Sequence, residues 1–161
     1  MAKVLLSIHV LAAILAVGSI AVAASLFPRY ARQAASGDED PGGRAAGIAA
    51  LLHRICHGYA VAGVAVPFFG FATGAVLGVL GDTWLIVSLV LTMIAAAILA
   101  TAILPAQKRL LAPAGDSASA ADDGAIVAAA TRLSMLTGIF NLLWAIVVVL
   151  MIVRPGSTTG A

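Results

Sequence analysis

Four runs of residues without a formal charge, 24, 27, 25 and 21 long, take up 97 of the 161 positions. They extend from Val4 to Phe27, Ile55 to Gly81, Thr83 to Gln107 and Leu133 to Val153. A helix needs about 20 mostly apolar residues to cross about 30 Å of hydrocarbon, and each run meets that length. Composition points the same way, with 62% hydrophobic and 10% charged residues, against about 45–50% and about 25% in soluble domains. A soluble enzyme core, a nucleic-acid binder and a disordered chain are thereby excluded. The expected fold is all-α: a single domain over 1–161 forming an antiparallel, up-and-down four-helix transmembrane bundle.

The boundaries carry helix punctuation. Pro28, Pro105 and Pro155 each follow a run, where proline cannot continue the hydrogen-bond ladder. Gly81-Asp82-Thr83 reads as a tight turn, with Asp82 or Thr83 able to cap the third helix. Spans are expected at about 4–27, 55–80, 83–104 and 133–153, with the second helix extending back to about Arg44. The segments at about 28–47 and 105–124 are rich in Gly, Pro, Ser and Asp and read as loops. Ala21-Val-Ala-Ala after an apolar run resembles a signal-peptide cleavage site, but the run exceeds a usual h-region of about 7–15 residues. Arg29 and Arg32 follow at once, and the first span is expected to be retained.

Orientation follows from Lys and Arg. Arg29, Arg32, Arg44, Arg54, Lys108, Arg109 and Arg132 flank the two long loops, against Lys3 and Arg154 at the other end. Seven against two puts the loops in the cytoplasm, with both termini and the 81–83 turn outside. The expected location is a bacterial inner membrane, with the lipid bilayer as a partner.

Helices in lipid associate through close packing of small residues. Gly70, Gly74 and Gly78 recur every fourth residue and read as one face for a neighbouring helix, with Pro67 kinking the same helix. Ala95, Ala96, Ala97 and Ala100, then Ser134, Gly138 and Ala145, suit a tight bundle. A homo-oligomer or a larger membrane complex fits such surfaces. Trp84 reads as an interfacial anchor; Trp144, near mid-span, faces lipid or core.

Polar residues within a span are functional candidates because lipid leaves them without partners. His53 and His57 stand one turn apart on one helix face, compatible with one metal ion; contact with headgroups and water is the alternative. His9 stands alone at depth. A neutral imidazole there could ligate haem iron or copper, with Met93 or Met151 as a second ligand, or bond a facing carbonyl as a structural residue. Asn141 is the polar residue at the middle of the fourth span. The single Cys56 excludes an internal disulfide and a multi-cysteine metal site. No Ser/His/Asp set, phosphate loop or HExxH motif is present.

Four segments carry a resemblance. Leu6-Ser-Ile-His9 leading to Gly18, the arginine-flanked approach to Gly63 and Gly74, Leu104-Pro105-Ala-Gln-Lys108-Arg109, and Leu150-Met-Ile-Val-Arg154-Pro155-Gly156 resemble a bacterial family of uncharacterised four-span integral membrane proteins. More distantly, the first-span histidine is similar to that of copper-resistance D-like proteins and HemJ-type protoporphyrinogen oxidases. That resemblance implies copper transport or haem-linked oxidation, with His9 as the carried-over residue. The chain departs from the oxidase pattern in having no lysine inside its third span. The first expectation is a structural or accessory membrane subunit without a cofactor or catalytic residues. The alternative is a haem b- or copper-binding protein using His9, and a haem-pathway oxidase comes third.

Overall fold

The computed structural model describes residues 1–36, 43–112 and 120–156. Among these no strand occurs. Six helices make up four rods: α1 Ala2–Ala35, α2 Arg44–Ala62, α3 Ala65–Leu77, α4 Thr83–Ile98, α5 Leu104–Leu110 and α6 Ala120–Val153, with a π-turn at Leu99–Ile103 joining α4 to α5. All four rods are long and apolar enough to cross a membrane. The outward surface is Val, Leu, Ile and Phe, with Ile14, Phe68 and Ile152 among its most exposed side chains. Such a surface is stable against lipid and not against water. The chain is a multi-pass membrane protein with an all-α, four-rod transmembrane architecture.

The helices outrun the expected spans. α1 continues through Pro28 to Ala35, so that proline does not end it. At 34 residues and about 1.5 Å each, α1 is about 50 Å long against about 30 Å of hydrocarbon. Much of the expected loop sequence is therefore helix. The remaining loop residues, 37–42 and 113–119, lie outside the described residues. α2 starts at Arg44, as expected.

Two prolines shape the middle of the bundle instead of its edges. Pro67 has no N–H to give the Gly63 carbonyl, which accepts from Val66 N at 3.0 Å instead. The second rod consequently breaks at Gly63–Val64 into α2 and α3. Gly63 sits at the break, and a Cβ there would stand 3.9 Å from Ala16 Cβ on α1. Pro105 lies at the start of α5 rather than beyond the helix. The π-turn just before it closes with Leu104 N–H bonded to the Leu99 carbonyl, so the rod continues across the missing donor.

Packing differs between the two ends. At the loop end Ile20, Phe27, Leu52, Ile103, Leu133 and Phe140 form one buried cluster. Ala23, Ala24 and Ala31 of α1 and Ala45 and Ala49 of α2 are buried, and these small residues let the two helices approach closely. The alanine and glycine set expected to do this on the third and fourth rods does not: Ala95 is fully buried, while Ala96, Ala97, Ala100, Ser134, Gly138 and Ala145 face outward. At the end holding both termini, α1 packs on α3 and α6, and α4 on α6, whereas α3 and α4 share little contact. A cavity opens there.

Candidate functional site

The cavity encloses about 1190 Å³ and takes its walls from α1, α3, α4 and α6. Small-molecule sites usually enclose about 300–1,000 Å³, mostly apolar with a few polar groups. Here the polar contributions come from His9, Thr73, Thr92, Trp84, Trp144 and Arg154. The two threonine hydroxyls donate to their own helices, Thr73 Oγ1 to the Phe69 carbonyl at 2.7 Å and Thr92 Oγ1 to the Ser88 carbonyl at 2.8 Å. That leaves the imidazole, the indoles and the guanidinium as its distinctive chemistry.

His9 is half-buried on α1 and reaches across to α3, where its Nδ1–H donates to the Val66 carbonyl at 2.8 Å. A carbonyl can only accept, so this bond requires a proton on Nδ1; in the neutral imidazole the lone pair is then on Nε2. Gly70 makes the approach possible. It lies one turn beyond Val66, and a Cβ there would stand 2.9 Å from His9 Cε1 and 3.1 Å from Nδ1. A side chain at position 70 would lean back over the Val66 carbonyl, so only glycine leaves that oxygen open to the ring.

The three glycines share a spacing but meet three different surroundings. Gly70 seats His9. Gly74 lies under Leu85 and Leu80, whose Cδ2 atoms would meet its Cβ at 2.9 and 3.1 Å. Gly78 has φ +71° and ends α3 in the left-handed conformation.

The two methionines part company. Met151 lines the same cavity as His9. Met93 is 58% exposed on the outer surface of α4 and is not among the lining residues, so its expected role as a co-ligand is not supported by its position.

At the mouth, Trp84 is only 6% exposed. It faces the cavity and not the lipid interface expected of it. Its Nε1–H donates to Asp82 Oδ2 at 3.0 Å, so the Asp82 carboxylate holds the indole instead of capping α4. The Arg154 guanidinium carbon lies 5.6 Å from the centre of the Trp84 ring, within cation–π range. Arg154 Nε–H donates to the Met151 carbonyl at 3.3 Å. Its backbone has φ +45°, a left-handed conformation uncommon for a residue with a side chain.

On α6, Thr137, Asn141 and Trp144 fall on one helical face. Asn141 Nδ2 donates to Ser25 Oγ at 3.2 Å. Thr137 Oγ1, Asn141 Oδ1 and Trp144 Nε1 are buried without a described partner. Trp144 stands edge-on to Phe140, with ring centres 6.3 Å apart. Its indole therefore belongs to the interior.

His53 and His57 lie towards the loop end, with ring centres 6.4 Å apart. Among the described residues no three His, Cys, Asp or Glu side chains converge as for a metal ion. His53 Nδ1–H instead donates to Gln107 Oε1 at 3.0 Å, and Gln107 Nε2–H points to Cys56 Sγ at 3.6 Å. Gln107 and Cys56 are fully buried, so the chain ties α2 to α5. Sequence reasoning missed Gln107, although an amide inside an apolar run was the available signal. Comparison of the chain with protein-family models, with curated proteins and with solved structures finds no match.

Proposed function

We propose that this chain is a non-enzymatic accessory subunit of a bacterial inner membrane that carries a haem-type cofactor in the cavity between its four rods. The observation that carries the reading is the 2.8 Å bond from His9 Nδ1–H to the Val66 carbonyl. A backbone carbonyl orienting one imidazole nitrogen while the other keeps its lone pair is how metal-ligating histidines are usually held. Haem needs only one or two axial ligands from protein. His9 would supply one through Nε2, and Met151 is the thioether in the same walls. Bound there, the iron would supply electron transfer or ligand binding, and the protein would set its orientation and exclude water. Copper fits less well, because the cavity offers a single imidazole and the Met151 thioether, fewer soft ligands than copper sites draw on.

The seven basic side chains that flank the loops support the orientation with loops in the cytoplasm and both termini outside. All seven are exposed. On that orientation the cavity belongs to the outer half of the membrane.

The test is titration of the purified chain in detergent with haemin, followed by absorption. A saturable Soret band near one per chain, lost in His9→Ala, is the expected result. A spectrum unchanged from free haemin, or a band indifferent to His9→Ala, would refute the proposal.

A further inference from the structure

The cavity sets two strongly polar side chains, His9 and Arg154, in a mostly apolar wall. His9 is seven residues along from Ala2, the start of α1, and Arg154 follows the last residue of α6. Both residues line the cavity at the end that holds the termini. We infer that Arg154 is a specificity-determining residue that reads an acidic group on the cavity's ligand, so that the site takes an apolar, carboxylate-bearing amphiphile. This rests on the reading of the cavity as a cofactor site and adds the group that selects among apolar cofactors.

Three observations carry it. The guanidinium is held in place by a π-face and a backbone carbonyl, Trp84 at 5.6 Å and Met151 at 3.3 Å. Neither partner neutralises its charge, and among the described residues no other group takes its remaining N–H donors, which form a fork suited to a carboxylate. Arg154 also adopts φ +45°, a conformation that disfavours any residue with a Cβ and that persists where surroundings over-determine it. Finally, the indole beneath it is itself fixed by Asp82 at 3.0 Å. A side chain whose only task was to reach lipid headgroups would gain nothing from being pinned over a buried ring. α3 and α4 share little contact, so an amphiphile would enter from the membrane on that side.

The experiment separates this inference from haem ligation by using metal-free protoporphyrin and its dimethyl ester, which differ in their carboxylates and need no axial ligand. Both tryptophans line the cavity, so quenching of their fluorescence reports occupancy of the full chain in nanodiscs. The wild type is expected to bind the free acid about tenfold to a hundredfold more tightly than the ester, the range of one charge-assisted hydrogen bond. Arg154→Gln should abolish that preference and leave ester binding unchanged, while His9→Ala retains it. Arg154→Lys should keep part of it. Equal affinity of the wild type for acid and ester, or a preference that survives in Arg154→Gln, would overturn the inference, as would absence of quenching by either porphyrin. A haemin titration without a Soret band, alongside an intact acid-over-ester preference, would instead refute the His9 reading and leave Arg154 in its role.

Discussion

Gly70 and His9 fit as seat and ring: the imidazole occupies the space a β-carbon at position 70 would need, 2.9 Å from Cε1. The contact is between helices, yet no backbone meets a backbone there. What the missing side chain admits is a polar ring, and with it the bond to the Val66 carbonyl.

Gly70→Ala should therefore act through His9. The added methyl displaces the ring, and overpacking of this kind costs about 1–3 kcal/mol. In a His9→Ala background the same substitution should cost close to nothing, because the space is vacated. Thermal unfolding of the two single variants and the double variant in one detergent forms a cycle, and additive effects would show that the ring and the glycine do not interact.

Gln107→Leu should weaken the loop-end packing. The substitution removes both hydrogen bonds of the amide and leaves the half-buried His53 imidazole without its acceptor, a loss of about 1–3 kcal/mol. Cys56, the single thiol, provides a local readout. Its alkylation by a membrane-permeant maleimide should be slow in the wild type and several-fold faster in the variant, and unchanged labelling would count against the α2–α5 tie.

Trp144→Phe and Thr137→Val should each be neutral or stabilising. Both delete a buried polar atom that has no described partner and keep most of the volume; an unsatisfied buried donor costs about 1–3 kcal/mol. A melting temperature that falls clearly in either variant would mean that the atom is bonded within the membrane.

Placement of the loop end can be read by labelling. In a Cys56→Ser background, a cysteine replacing the exposed Ser36 should resist an impermeant maleimide applied to intact cells, whereas one replacing Gly81 should react. The reverse pattern would invert the whole protein.

The four rods, the turn near Gly81 and the start of α2 at Arg44 were legible because run length, charge and turn residues are local signals. His9 was legible as well, as the lone imidazole within the first run. Its partner was not, because the Val66 carbonyl becomes reachable only when α1 lies against the glycine face of α3, a tertiary fact. The same limit explains the glycines, which share a spacing but meet different neighbours. Pro28 and Pro105 misled for another reason. A proline ends a helix where water can take up the freed carbonyls, whereas in a bundle the chain has cause to continue. Pro28 is itself buried, beside Phe27 and Ala31 on the packed face of α1, and before Pro105 a π-turn absorbs the gap. Trp84 could not be assigned to lipid or interior from position alone, since the deciding groups, Asp82 and Arg154, lie in the turn before α4 and just past the end of α6.

The unequal packing of the two ends has a mechanical consequence. Void volume makes a folded state yield to hydrostatic pressure, and here a cavity of about 1190 Å³ sits between the rods at the end carrying the termini, while a buried apolar cluster fills the opposite end. Compression should close the bundle like a hinge whose pin is the Phe27–Ile103–Phe140 cluster. Stiffness and give are thus divided along a single membrane axis.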